Sequence, residues 1–123
     1  MAYIDLTTKN FDEIRDNNEI IIIDFWAQWC GPCIQFAPTF EKVSDENPDI
    51  TFGKLNIDEQ SAIANYYGVS SVPTIVVIRD GIVLLNRAGS LPEDALNDIV
   101  THVKSINMDE IRSQLEKEEA EEE

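Results

Sequence analysis

Cysteine, histidine and basic side chains are all scarce in this 123-residue chain, and each shortage removes a class of function. Only two cysteines occur, Cys30 and Cys33, so no set of several disulfides holds a small secreted scaffold together. His102 is the single histidine, and without a second cysteine pair the ligands of a structural zinc site are missing. Nine lysines and arginines stand against 24 aspartates and glutamates, a formal net charge of −15 at pH 7. Nucleic-acid phosphates and anionic lipid surfaces repel such a chain, which argues against either as a partner. Long hydrophobic runs are absent too: apolar stretches are strand-length, and Asp5, Asp12, Glu13, Asp16 and Glu19 crowd the start. Neither a membrane span nor a secretory leader is expected, and the expected location is the reducing cytoplasm. No internal repeat is found.

What is present is enough apolar material, 43% of residues, for one domain with a core. A short strand is predicted at 3–6, then a helix to residue 17 with Asn10 and Glu13 as a capping box. Residues 19–27 are dense in β-branched and aromatic side chains on both alternating faces, as in a central strand covered on both sides. Phe36, Phe40 and Val43 continue a helical face through 31–46, with Pro38 inside it and expected to kink it. A strand at 50–57 and a short helix at 61–67, stopped by Gly68, complete a β-α-β-α-β pattern. The pattern then changes to a hairpin, 74–78 and 82–87 about Asp80-Gly81, followed by a helix opened by a Ser90/Glu93 capping box. The predicted fold class is α/β: a mixed sheet of about five strands with helices on both faces.

The two cysteines lie directly after the central strand, in Cys30-Gly31-Pro32-Cys33. Two intervening residues, folded as the first turn of a helix, bring the sulfurs within bonding reach. They also place the first thiol at the helix N-terminus, where unpaired N–H groups and the positive dipole end favour a thiolate. Pro32 suits a first turn, where its missing N–H costs nothing. Cys30 is the expected nucleophile. Asp24, set in the middle of an apolar strand, should be buried, and burial raises a carboxyl pKa toward the range useful for accepting a proton.

Taken together, the strand Ile22-Ile23-Asp24-Phe25-Trp26-Ala27, the motif Trp29-Cys30-Gly31-Pro32-Cys33, Ala37-Pro38, Lys54 to Asp58, Tyr67-Gly68-Val69, Val72-Pro73-Thr74, Asp80-Gly81 and Gly89 resemble the thioredoxin family, in family order. The resemblance spans residues 1 to about 105 and implies the thioredoxin fold and a protein-disulfide reductant and electron carrier serving cell redox homeostasis. Cys30 would attack a substrate disulfide and Cys33 would resolve the mixed disulfide. Asp24 would accept the Cys33 proton, with Lys54 tuning it. Pro73 falls where the family has a cis proline facing the cysteines. Trp29, Gly31, Pro32, Val72, Gly89 and Ser90 would frame a docking patch around them. No cofactor beyond the cysteine pair is implied. The implied partners are thioredoxin reductase and disulfide-containing clients such as peroxiredoxins or reductases, with the chain a monomer.

Two features depart from the family pattern. Ile34 stands where the family usually has lysine or arginine. Residues 107–123, with eight acidic and two basic side chains, extend beyond its usual boundary. The expected division is a thioredoxin domain at 1–106 and an acidic extension at 107–123, in which Asn107 and Glu110 cap a short helix striped by Met108, Ile111 and Leu115, with a disordered or frayed end. Two other functions stay open: a donor dedicated to one peroxidase or reductase, and a non-redox module that uses the same fold for binding.

Overall fold

The four isoleucines at 20–23, followed by Asp24, Phe25 and Trp26, form the middle strand of a five-stranded sheet in the computed structural model, which describes residues 2–122. The elements run β1 (Tyr3–Asp5), α1 (Phe11–Asn17), β2 (Ile20–Trp26), α2 (Gly31–Glu46), β3 (Thr51–Asn56), α3 (Ser61–Tyr66), β4 (Thr74–Arg79), β5 (Ile82–Ala88), α4 (Glu93–Ser105) and α5 (Met108–Glu122). The strand order is β1-β3-β2-β4-β5. The first three strands in that order are parallel, and β4 and β5 join antiparallel.

Alternation along β2 divides the core into two layers. Ile22 joins Phe52, Ile75 and Val77 beneath α2 and α4, which contribute Phe36, Phe40, Val43, Leu96, Val100 and Val103. Ile21, Ile23 and Phe25 face the other way, onto Phe11 of α1 and Ile63 and Ala64 of α3. A strand buried on both faces has to be apolar throughout, which accounts for the isoleucine run. The polar exception, Asp24, falls on the α2/α4 side, two residues on from Ile22.

Asp80 and Gly81 both have positive φ, 54° and 78°, the pairing that a two-residue hairpin turn with the right strand twist requires. Gly53 is needed for a different reason: a Cβ there would run into the buried Leu6 side chain. α2 is continuous from Gly31 to Glu46 through Pro38.

Two of the three expected helix caps fail. Asn10 occupies the N-cap of α1, but its side chain accepts from the Thr7 N–H (2.7 Å) and donates to the Asp5 carbonyl (3.0 Å), tying the end of β1 to the helix instead. At α4 the N-cap is Pro92, which leaves Ser90 too far upstream to reach the first turn. Glu93 pairs with Lys42 of α2 at 2.8 Å. The third cap forms: Asn107 Oδ1 accepts from the N–H groups of Asp109 (3.0 Å) and Glu110 (3.2 Å) and opens α5. Arg79 anchors the neighbouring junction, donating to the carbonyls of Val103 (2.8 Å) and Ile106 (2.9 Å) at the negative end of α4. Met108 is buried at the start of α5, whereas the side chains from Arg112 to Glu121 are exposed.

Candidate active site

Cys30 is the N-cap of α2 and Cys33 lies in its first turn, their Cα atoms 5.2 Å apart and their sulfurs joined in a disulfide. The backbone N–H of Cys33 donates to Cys30 Sγ at 3.1 Å, so the helix terminus supplies a hydrogen bond to the first sulfur. Once reduced, that sulfur is favoured as a thiolate by this bond and by the dipole. Both cysteines are buried, packed with Ala27, Trp26, Ile57 and Val72. The adjacent Gly31 and Pro32 are exposed, so the pair lies just beneath the surface.

Cys30 Sγ also lies 3.7 Å from the carbonyl oxygen of Val72, and the Val72–Pro73 peptide bond is cis. Gly89, with φ 101°, donates its N–H to the Pro73 carbonyl at 2.8 Å and so brings the end of β5 to the same rim. Trp29 is 70% exposed, and its indole N–H donates to Asp58 Oδ2 at 2.8 Å, which ties the ring to the turn after β3. Ser90 is exposed next to Gly89. The sequence-predicted docking residues thus come from the β2–α2 loop, the first turn of α2, the turn before β4 and the end of β5.

Asp24 is fully buried, and neither carboxylate oxygen has a hydrogen-bond partner among the described residues. Burial pushes its pKa from 3.8 up to about 7, with the nearby Lys54 charge pulling the other way. Cross-strand register places Lys54 directly beside Asp24. The carboxyl therefore lies on the sheet face covered by α2, the helix that carries Cys33. Among the described residues no cluster of histidine, cysteine and acidic side chains could hold a metal ion.

The thioredoxin family model matches residues 2–102. The chain belongs to the thioredoxin family. A thioredoxin-type protein of Streptomyces coelicolor is 41% identical over 117 residues, 95% of this chain and 87% of that protein. The thioredoxin of Bacillus subtilis is 37% identical over 101 residues, 81% of this chain and 96% of its own. Among solved structures, a mutant thioredoxin from Halobacterium salinarum superposes with a TM-score of 0.78 at 32% identity, over 85% of this chain and 92% of that one. Because 95% of the chain lies inside the Streptomyces match, that similarity runs into the segment beyond Ile106.

The activity follows with the family: protein-disulfide oxidoreduction by dithiol–disulfide exchange, for which Cys30 and Cys33 are the redox pair. Thioredoxins work with a thioredoxin reductase and need no cofactor, since the redox group is part of the polypeptide. No helix among the described residues is long and apolar enough to cross a membrane. Two contacts made by the predicted site residues have no counterpart in the sequence reading. Asp58 anchors Trp29 only because strand pairing brings Ile57 to Trp26, where the Ile57 N–H donates to the Trp26 carbonyl at 3.0 Å. Tyr3 lies against Lys54 through the pairing of β1 with β3, a contact no local pattern announces.

Proposed function

We propose that this thioredoxin is a general protein-disulfide reductant of the cytoplasm, a monomer recycled by a thioredoxin reductase, in which the two cysteines have unequal tasks. The Cys30 thiolate attacks one sulfur of a client disulfide, the other client sulfur leaves as a thiolate that takes a proton from solvent to replace the one Cys30 had released, and a mixed disulfide joins client to protein. Cys33 then gives its proton to Asp24 and attacks the Cys30 sulfur. The second client sulfur leaves as a thiolate and is protonated as Asp24 gives its proton back, so the protein keeps the Cys30–Cys33 disulfide while the client has gained two electrons and two protons. Lys54 keeps Asp24 able to ionise despite its burial. Trp29, Gly31, Pro32, Val72, Pro73 and Gly89 bind the client's extended segment, with the Val72 backbone nearest the reacting sulfur.

The observation that carries this reading is Asp24: a fully buried carboxyl with no hydrogen-bond partner among the described residues, on the sheet face beneath the helix that bears the cysteines. Rapid kinetics on Asp24→Asn tests it. Slower resolution of the mixed disulfide with initial attack little changed is expected; equal slowing of both steps, or of neither, removes Asp24 from proton transfer.

The redox unit is residues 1–106, and 107–123 is an extension outside it. The 62% exposed Ile34, where the family usually has a basic residue, favours a second reading as donor to one particular partner. A Cys33→Ser trap incubated in lysate separates the two: many captured clients mark the general reductant, one dominant client the dedicated donor.

A further inference from the structure

Strand register sets Lys54 between two carboxylates on one face of the sheet, with Asp5 beside it on β1 and Asp24 beside it on β2. Among the described residues it forms an ion pair with neither. Its Nζ lies instead 5.2 Å from the centroid of the Tyr3 ring and 5.0 Å from that of Trp26. Both distances are within the roughly 6 Å over which a ring face attracts an ammonium. The same arrangement explains the geometry: Tyr3 precedes Asp5 on its strand by two residues, Trp26 follows Asp24 by two, and all four side chains share the face on which Lys54 stands.

A cleft of about 260 Å³ opens beside the lysine, lined among others by Asp5, Trp26, Lys54 and Glu59. Without the rings, the ammonium would be drawn outward to water, Asp5 and Glu59, away from the buried carboxyl. A direct bond to Asp24 would have the opposite fault, since it would hold that carboxyl ionised and unable to exchange its proton freely.

We propose that Tyr3 is a positioning residue for disulfide exchange: with Trp26 it clamps the Lys54 ammonium near Asp24 but bonded to neither flanking carboxylate, so that Lys54 acts on Asp24 through space. This deepens the role given to Asp24 above and rests on it for its consequence in catalysis. Tyr3 is suited to the task by its packing, since its ring is seated against the cluster formed by Ile22 and Phe52. The charged and titratable groups around the clamp are Asp5 on β1, Asp24 on β2, Glu59 before α3 and Glu41 on α2. Burial, then Glu41 and Asp5, raise the Tyr3 pKa, so the ring stays neutral in the working range. Apart from Lys54 itself, every one of these groups is acidic or phenolic, and while Asp24 is protonated the aromatic faces are what oppose the pull of the outer carboxylates.

The test is a titration of the Asp24 carboxyl by carbon NMR in the full-length oxidised protein. Replacing the ring in Tyr3→Leu is expected to raise the Asp24 midpoint by roughly half to one pH unit, as loss of a nearby opposite charge does. Tyr3→Phe, which keeps the ring, is expected to leave it in place. Lys54→Met is expected to raise the midpoint comparably, and adding Tyr3→Leu to Lys54→Met is expected to add nothing. Tyr3→Met is a second ring-free variant read in the same way should the leucine protein not fold. An unchanged midpoint in the ring-free variants overturns the clamp, as does an equal upward shift when lysine is already gone, because Tyr3 would then act on Asp24 without it. The kinetics of Asp24→Asn answer the separate question of whether Asp24 takes part in resolution: a null result there leaves the titration intact.

Discussion

Burying the Asp24 carboxyl without a hydrogen-bond partner among the described residues costs the fold stability, and the proposed proton transfer gives that cost a reason. The folded pKa, about 7, lies above the 3.8 of an exposed aspartate, so between those values the native state holds a proton that the unfolded chain has released. Stability therefore falls as pH rises through that window, and the full penalty applies above about pH 7. Asp24→Asn is expected to gain nothing near pH 4 and up to roughly 4 kcal/mol above pH 7, measured by denaturant unfolding across the range. A gain independent of pH would mean that Asp24 is not the titrating group. Gly53→Ala tests packing at the same scale: the added methyl meets Leu6, and a loss of about 1–3 kcal/mol is expected in the same assay. Burial of Asp24 could be read from the apolar run around it. Its lack of hydrogen-bond partners, and the hold of Tyr3 on Lys54, come from strand register, which pairs residues far apart in the chain and leaves no local trace.

Elements were legible where a local rule had no competitor. The Asp80-Gly81 turn and the helix opening at Gly31-Pro32 both formed, because few backbone shapes suit those residues. Capping boxes proved weaker signals. Asn10 found partners in Thr7 and Asp5, and Glu93 found Lys42, since a polar side chain takes whichever bond tertiary structure brings closest. α5 shows how far one element can be divided. Met108 is buried and Arg112 reaches Asp80 at 3.2 Å, whereas the side chains from Ser113 to Glu121 are solvated. Truncation after Arg112 is expected to leave stability within about 0.5 kcal/mol, and truncation after Ile106 to lower it by about 1.5–3 kcal/mol through loss of the Met108 contacts. Neither is expected to change turnover of a generic disulfide substrate; a large loss would place the extension in the working site.

At the scale of the whole molecule, a parallel β-α-β unit supplies the cysteines and the carboxyl, and an antiparallel hairpin supplies the rim that carries the proposed docking patch. The division was visible in the sequence, because the change from helix-linked strands to a two-residue turn is a change in spacing. Closure of the rim was not, since the bond from Gly89 to Pro73 depends on how β4 and β5 pair. A chain with this motif working as a reductant is expected to have a reduction potential below the roughly −180 mV of protein disulfide isomerase, measured against a glutathione couple. A potential at or above that value would make it an oxidant or isomerase.

The division of labour between the two sulfurs is tested most directly by mass spectrometry of the single variants after reaction with a disulfide peptide. Cys33→Ser is expected to accumulate a one-to-one mixed disulfide on Cys30, and Cys30→Ser to accumulate little or none. Equal trapping by both variants, or a stable adduct only on Cys33, would contradict the assignment of Cys30 as the attacking sulfur.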